Sequence, residues 1–161
     1  MLARDVMKSP VITVYEHNTL ADVARLLEER NISGLPVLNR NDEMVGIITE
    51  HDLIRRSQEL QVKVSSSAFG WISPHSSLDE IASYTQGLCT VGETPVHKVM
   101  TRKVTAVEEH ESLEKVAQIM AKKRINRVPV TRKGQLVGII SRGELVWAMS
   151  NLCERKPGIL S

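Results

Sequence analysis

The feature that most constrains the fold of this chain is an internal duplication. Val6-Met7 recurs as Val99-Met100, an offset of 93 residues. The same offset relates many positions downstream, and after one residue is lost in a turn, Val45-Gly46-Ile47-Ile48 recurs as Val137-Gly138-Ile139-Ile140. Chance does not align this many positions with a single gap, so the chain is two copies of one unit.

Each copy predicts the same order of elements: strand, helix, strand, strand and helix. In the first copy these are a β-branched run at residues 11–14, a helix between Thr19 and Asn31, strands at residues 35–38 and 44–48, and a helix that begins near Thr49. The first helix of each copy carries an apolar stripe at i, i+3, i+4 and i+7, which predicts its buried face. The stripe residues are Leu20, Val23, Ala24 and Leu27 in one copy and Leu113, Val116, Ala117 and Met120 in the other.

A single copy has one sheet face and two helices, which is too little core for independent stability. We therefore predict the α/β (α+β) class, with two β-α-β-β-α copies packed with pseudo-two-fold symmetry into one module. The predicted parts are a first copy, a connector, a second copy and a tail, at residues 2–57, 58–95, 96–150 and 151–161. The connector contains a predicted short helix at residues 77–86 and the aromatic Trp71. It either packs across the copies or docks a partner.

Composition and charge exclude several classes of function. A net charge of +2, with no basic run longer than Lys122-Lys123-Arg124, argues against a dedicated nucleic-acid-binding protein. Cys89 and Cys153 lie far apart, which fits a reducing compartment and gives neither a disulfide framework nor a zinc site. The sequence shows no signal peptide and no apolar run long enough to cross a membrane, so we expect a cytoplasmic location.

The sequence contains no pattern typical of catalysis or metal binding. Its five histidines lack metal-ligand spacing, and Gly46 and Gly138 each stand alone, short of a glycine-rich phosphate loop. A nucleophilic Cys89 would need a base that the sequence does not identify. We therefore expect a protein that is not an enzyme and holds no metal.

Three features in each copy resemble the CBS-domain family, named after cystathionine β-synthase, whose repeats occur in pairs. The first is a Val-Met pair leading to a β-branched run, and the second is Ile32-Ser33-Gly34-Leu35-Pro36-Val37, matched by Ile125-Asn126-Arg127-Val128-Pro129-Val130. The third is a glycine followed by two apolar residues, a hydroxyl residue and, three positions later, an acid. It is represented by Gly46, Thr49 and Asp52 and by Gly138, Ser141 and Glu144.

The resemblance implies two clefts that bind adenosine-containing ligands. Asp52 and Glu144 would accept hydrogen bonds from ribose hydroxyls, and Thr49 and Ser141 would donate to phosphate at the start of a helix. The residues that would border the adenine are Ile32, Ser33 and Gly34 in the first copy and Ile125, Asn126 and Arg127 in the second, with Thr13 and Ala106 nearby. The predicted ligand-binding residues also include Pro36 and Pro129. Basic residues near these motifs could complete a phosphate pocket; they are Lys8, Arg102, Lys103, Arg142 and, foremost, Arg127.

The chemistry of these residues supports the same roles. A carboxylate offers two acceptor oxygens to a vicinal diol, and a helix N-terminus offers N–H groups and a positive dipole end to phosphate. A hydroxyl residue followed three positions later by an acid is also the helix-capping pattern, however. Capping would explain both copies without any ligand, and Glu144 departs from the Asp that the family favours.

Two classes of function remain open. In one, the chain is a regulatory module that binds an adenine nucleotide, AMP, ADP or ATP, and signals to a separate effector protein; NAD and S-adenosylmethionine carry the same adenosine group. In the other, it is a structural dimerisation or adaptor protein whose nucleotide sites have decayed. The family often forms flat homodimers, so we expect a homodimer in either case, and no partner in nucleic acid or membrane.

Overall fold

A computed structural model describes residues 1–65, 87 and 89–154 of this chain. These residues fold into two compact units. One spans Thr13–Val104 and contains Asp52, and we call it the Asp52 unit. The other combines Met1–Ile12 with the chain from Thr105 onward, and we call it the Glu144 unit. The predicted helix at residues 77–86 and the anchor Trp71 lie outside the described residues.

The Asp52 unit contains a three-stranded sheet and two helices in the order predicted for the first copy. Its elements are β1 (Val14–Tyr15), α1 (Leu20–Arg30), β2 (Gly34–Leu38), β3 (Met44–Thr49) and α2 (Glu50–Ser65). The strands lie in the order β1-β2-β3, with β1 parallel and β3 antiparallel to the central strand β2. Polar turn residues at 39–42 join β2 to β3, as predicted, and Asn39 accepts hydrogen bonds from the N–H groups of Asn41 and Glu43.

The Glu144 unit repeats this plan with the second copy. Its elements are β4 (Val107–Glu108), α3 (Leu113–Lys123), β5 (Arg127–Arg132), β6 (Gln135–Ser141) and α4 (Arg142–Glu154). The sheet order is β4-β5-β6, again with one parallel and one antiparallel pairing. The two units therefore share one topology, and the mixed α/β class with two β-α-β-β-α repeats is confirmed.

Each copy begins with a leading segment, at residues 3–8 and 96–101, and each unit completes its sheet with the leading segment of the other copy. Lys8 exchanges backbone hydrogen bonds with Ile139 of β6, at 2.9 and 3.1 Å. Thr101 does the same with Ile47 of β3, at 2.9 and 3.0 Å. A short 3-10 helix precedes each of these contacts, at Ala3–Asp5 and at Val96–Lys98. The leading segments of the two copies are therefore exchanged, which the sequence pattern did not predict.

The core of each unit lies between the sheet and the first helix. In the Glu144 unit, the buried cluster is made of Ala3, Val107, Val116, Met120, Val128, Val130 and Ile140. The presence of Ala3 shows that the leading segment is part of this core. In the Asp52 unit the fully buried side chains include Leu20, Val23, Leu35, Val37 and Ile48. Aliphatic side chains fill both cores, as the scarcity of aromatic residues requires.

Two details of the predicted elements were wrong. The first strand of each copy is shorter and later than expected, because only Val14 and Tyr15 pair with β2, and residues 11–13 precede the strand. Ala24 and Ala117 are exposed, although they were assigned to the buried stripes. The buried positions of each helix are i, i+3 and i+7, and the alanine at i+4 lies at the exposed margin of the stripe.

Helix caps are where the sequence specified the structure most closely. Thr19 accepts a hydrogen bond from the N–H of Asp22, and the Asp22 carboxylate accepts one from the N–H of Thr19 at 3.0 Å, as the capping pattern predicts. Asn31 ends α1 in the left-handed conformation, at φ 49°. Arg124 ends α3 in the same way, at φ 54°.

No helix in the described part of the chain is long and apolar enough to cross a bilayer.

Candidate functional site

The start of α2 brings together Thr49 and Asp52. Asp52 Oδ2 accepts hydrogen bonds from the Thr49 N–H at 2.9 Å and from its hydroxyl at 2.8 Å. In return, Thr49 Oγ1 accepts from the Asp52 N–H at 3.4 Å. The side chain of Asp52 is only 10% exposed. These contacts form a capping box that fixes one carboxylate oxygen against the helix N-terminus.

The segment before β2 lies against the same helix end. The backbone carbonyl of Ser33 accepts a hydrogen bond from the N–H of Glu50, the first residue of α2, at 3.1 Å. Gly34 pairs with Thr49 in the register of β2 and β3. The chain therefore places Ser33, Gly34, Thr49 and Asp52 next to one another, as a binding site formed by these residues would require.

The start of α4 repeats the arrangement with different side chains. Glu144 Oε2 accepts from the Ser141 N–H at 2.8 Å and from the Ser141 hydroxyl in a very short contact. The Asn126 carbonyl accepts from the N–H of Arg142 at 3.0 Å, which is the counterpart of the Ser33 contact. Arg127 pairs with Ser141 in the register of β5 and β6. The longer side chain of Glu144 therefore reaches the same capping position that Asp52 occupies in the first copy.

The second oxygen of each acid contacts a cation, and the cations come from different parts of the chain. Asp52 Oδ1 lies 3.4 Å from the guanidinium of Arg55, which is three residues further along α2. Glu144 Oε1 lies 3.1 Å from the ammonium of Lys8, in the leading segment. Both cationic side chains are more than half exposed, so each ion pair contributes little to stability.

The environment of Glu144 keeps its carboxyl ionised. Partial burial acts to raise the pKa of Glu144, but the hydrogen bonds from Ser141 and the Lys8 ammonium outweigh burial, so that pKa lies below its ordinary value. An ionised carboxylate is the form that accepts hydrogen bonds at both oxygens. Glu144 is therefore in the protonation state that binding to a diol requires.

The other predicted site residues lie along the same strands. Thr13 and Ala106 directly precede β1 and β4 and are partly exposed. Ile32 and Ile125 follow the first helix of each copy, and their N–H groups donate to Leu27 and Met120. Pro36 and Pro129 are fully buried within β2 and β5. The two prolines therefore lie in the core. The residues that precede β2 and β5 lie closer to the starts of α2 and α4.

Among the basic candidates, Lys8 contacts a predicted site acid, Glu144, through its ammonium group. Arg127, the foremost candidate in the sequence, begins β5 and is only 9% exposed. Arg102 donates to the carbonyl of His97 at 3.0 Å. Sequence reasoning missed both Arg55 as the neighbour of Asp52 and the specific pairing of Lys8 with Glu144. The i+3 spacing could have indicated the first, but no local signal indicated the second.

The described residues show no group of three or more His, Cys, Asp or Glu that could hold a metal ion. Cys89 is a free, exposed cysteine.

Comparison with known proteins identifies the repeat. The family model described as the CBS domain matches residues 3–59 and 96–151. The chain is 36% identical over 154 residues to an uncharacterized protein of Methanocaldococcus jannaschii, MJ1426, and the match covers 92% of this chain and 91% of that protein.

Solved structures show the same fold. The CBS domain of a CBS domain-containing membrane protein from Sphaerobacter thermophilus superposes with a TM-score of 0.69 at 30% identity, covering 91% of this chain and 86% of that one. CBSX2, crystallised in complex with AMP, gives a TM-score of 0.68 at 23% identity, covering 94% of this chain and 98% of that one.

Proposed function

Because this chain belongs to the CBS-domain family, we propose that it is a regulatory module which binds an adenosine-containing ligand and signals to a separate effector protein. In this proposal it is not an enzyme, and it acts in the cytoplasm as a homodimer. The ligand class is AMP, ADP or ATP, with NAD and S-adenosylmethionine as further candidates.

One observation carries the proposal: the same four features occur together at the start of α2 and at the start of α4. Each start combines a hydroxyl residue, a largely buried carboxylate, a helix N-terminus and the backbone that precedes a strand. A cap alone accounts for the hydroxyl and the acid. Each helix start also adjoins a backbone carbonyl, that of Ser33 or of Asn126, which accepts from the N–H of Glu50 or Arg142 and whose second lone pair could accept from the edge of a purine.

The Asp52 carboxylate is suited to a ribose diol. Its Oδ2 atom accepts the hydrogen bonds of the cap, while Oδ1 contacts Arg55 at the longer distance of 3.4 Å. A hydroxyl that donates to Oδ1 therefore need only displace an exposed guanidinium. Charge-assisted hydrogen bonds of this kind are roughly twice as strong as neutral ones, and they discriminate a ribose from a deoxyribose.

The N-terminus of α2 is suited to the phosphate of the same ligand. The positive end of the helix dipole favours an anion there, although the N–H groups of Glu50 and Asp52 already donate to the Ser33 carbonyl and to Thr49 Oγ1. Thr49 can turn its hydroxyl from Asp52 to a phosphate oxygen without changing the backbone. The related fold of CBSX2, crystallised with AMP, supports a ligand that has all three parts: adenine, ribose and phosphate.

Calorimetric titration of ligand-stripped protein tests the proposal. AMP, ADP, ATP, NAD and S-adenosylmethionine are each titrated against the wild type and the Asp52→Ala variant. We expect saturable binding of at least one ligand, with its affinity reduced about tenfold or more at one site in the variant, because a charge-assisted hydrogen bond is lost. Flat titrations for the whole panel would leave Thr49 and Asp52 as a helix cap only.

The chain supplies a matched control in Asp22. Thr19 and Asp22 form a capping box of the same composition at α1, and Asp22 is outside the proposed site. Asp22→Ala therefore removes an equivalent cap. We expect it to destabilise the protein without changing ligand affinity, and an equal loss of affinity in both variants would mean that Asp52 acts through stability alone.

A second candidate function, a dimerisation or adaptor protein, is favoured by exposed apolar side chains on α4. Val146, Trp147 and Met149 are 66%, 56% and 66% exposed. A cluster of this kind is typical of a protein interface. Light scattering that compares the molecular mass of the wild type with that of the double variant Val146→Ser, Trp147→Ser tests whether these side chains form a dimer interface. The adaptor function is supported if partner binding survives when Asp52 and Glu144 are both replaced by Ala, and the regulatory function if ligand alters that binding, typically by about 1–3 kcal/mol.

A further inference from the structure

Lys8 and Thr101 occupy the same place in the two copies but differ in charge. They are separated by the 93-residue offset of the duplication. Each exchanges a pair of backbone hydrogen bonds with the strand that leads into a helix, Lys8 with Ile139 and Thr101 with Ile47. The backbone therefore holds the two side chains at equivalent points, and one positive charge distinguishes them.

Lys8 lies beside Glu144, near the start of α4. Its backbone partner Ile139 comes two residues before Ser141, the residue that precedes α4. Its ammonium contacts Glu144 Oε1 at 3.1 Å, and its side chain is 69% exposed. The ammonium is thus close to the helix N-terminus where an anion is favoured, and solvent exposure leaves it free to change partners.

Arg55 does not play the same role at the Asp52 site. It contacts Asp52 Oδ1 from three residues further along α2 and lies about one and a half turns from Glu50, the first residue of the helix. The position that corresponds to Lys8 is filled by the uncharged Thr101. A phosphate at the start of α2 would therefore meet the helix dipole and the hydroxyl of Thr49, without a cation at the position that corresponds to Lys8.

We propose that Lys8 makes the Glu144 site selective for phosphate-bearing adenosine ligands, whereas the Asp52 site also accepts uncharged ones. A ribose hydroxyl that binds Glu144 Oε1 displaces the ammonium of Lys8. The phosphate of AMP gives that ammonium a new partner, and adenosine does not. This inference rests on the proposed function of the Ser141 and Glu144 site.

The test measures the ratio of the adenosine and AMP dissociation constants at one site at a time. Asp52→Ala isolates the Glu144 site, and Glu144→Ala isolates the Asp52 site. In the Asp52→Ala background, we expect Lys8→Thr to lower the preference for AMP over adenosine about tenfold, since a charge-assisted contact to phosphate is lost. In the Glu144→Ala background, we expect Thr101→Lys to raise that preference by a similar factor.

Arg4→Thr serves as the control, because Arg4 is an exposed cation in the same leading segment and pairs with Asp5 rather than with Glu144. It should leave the ratio unchanged. A merely structural role of Lys8 would move both dissociation constants together, so an unchanged ratio after Lys8→Thr overturns the inference and leaves the proposed function standing. If neither single-site background binds AMP or adenosine, this inference fails, and titration with ADP, ATP, NAD and S-adenosylmethionine then decides the proposed function.

Discussion

The starts of α2 and α4 have the same backbone but hold their carboxylates in place with different parts of the chain. At α2, both groups that contact Asp52, Thr49 and Arg55, lie within six residues of each other. At α4, Glu144 contacts Ser141 locally and Lys8 from the opposite end of the sequence. The first site is therefore locally assembled, whereas the second depends on the docking of the leading segment.

This difference shows which features a duplicated fold keeps in both copies and which features can differ between them. Backbone pairings recur in both copies, because each sheet needs them to satisfy its N–H and carbonyl groups. Side chains at equivalent points differ, as Lys8 and Thr101 or Asp22 and Lys115 show. Two sites built on one frame can in this way differ in selectivity and in stability.

The largest expected difference between the copies concerns the glycines under the leading segments. A Cβ added at Gly138 would lie 2.9 Å from Met7 Cβ, an atom fixed to the backbone. At Gly46 the nearest atoms belong to the flexible Met100 side chain, and the Thr101 carbonyl oxygen is 3.1 Å away. We expect Gly138→Ala to lower the free energy of unfolding by about 2 kcal/mol and Gly46→Ala by about 1 kcal/mol.

Denaturant unfolding measures both changes, and Gly143→Ala is the control. Gly143 lies in the first turn of α4, where an added Cβ meets Ser141 Oγ at an ordinary 3.5 Å. Removing a helical glycine there should stabilise the protein by about 0.5–1 kcal/mol. If Gly46→Ala proves more damaging than Gly138→Ala, the leading segment of the Glu144 unit is less firmly docked than the structure indicates.

At the caps of the first helices, the larger of the two expected costs is smaller than that at the glycines. Asp22 completes the capping box of α1, whereas Lys115 stands at the equivalent position of α3 and cannot accept a hydrogen bond. We expect Asp22→Ala to cost about 1 kcal/mol of unfolding free energy and Lys115→Ala close to none. The same unfolding assay compares them, and equal costs would show that the reciprocal contact contributes nothing.

The smallest expected difference is in acid sensitivity. Hydrogen bonds from Thr131 lower the pKa of Glu108, those from Arg132 lower the pKa of Glu109, and Ser141 and Lys8 outweigh burial to lower the pKa of Glu144. A carboxyl with a lowered pKa in the folded state stabilises the protein above its unfolded pKa, and this stabilisation is lost as the pH falls through the folded value. All three carboxyls lie in the Glu144 unit.

In the Asp52 unit, Asp22 is the described carboxyl with a resolved downward shift, since the backbone N–H of Thr19 lowers its pKa. We therefore expect stability to decline below about pH 4.5, with the Glu144 unit losing hydrogen-exchange protection first. Glu144→Gln should flatten the decline more than Asp22→Asn does. Earlier loss of protection in the Asp52 unit would contradict this order.

The sequence predicted those parts of the fold that depend on local patterns. Helix caps at Thr19 and Thr49, the left-handed end at Asn31 and the strand pair on either side of residues 39–42 all follow from residue type and spacing. The strand at residues 11–14 was misplaced because a β-branched run indicates extended backbone without indicating where pairing begins. The start of β1 is set instead by its register with Val37.

The exchange of the leading segments could not be predicted in this way. It depends on contacts between residues far apart in sequence, such as Lys8 with Ile139, and no periodicity within either segment encodes its partner. For the candidate site, the sequence pattern indicated that Thr49 meets Asp52 and Ser141 meets Glu144 at the helix starts, and the ligand-binding roles of these residues stay predictions. It could not predict that the second oxygen of Asp52 contacts Arg55 on the same helix, whereas that of Glu144 contacts Lys8 in the leading segment.

A crystal structure of the protein grown with AMP tests the central claim most directly. We predict that the ribose hydroxyls lie within hydrogen-bond distance, about 2.5–3.2 Å, of Asp52 Oδ1, with the phosphate at the first turn of α2 and in contact with Thr49 Oγ1. Electron density for AMP elsewhere, or none at all, with Asp52 bonded only to Thr49 and Arg55, would contradict the claim and leave this acid as a helix cap.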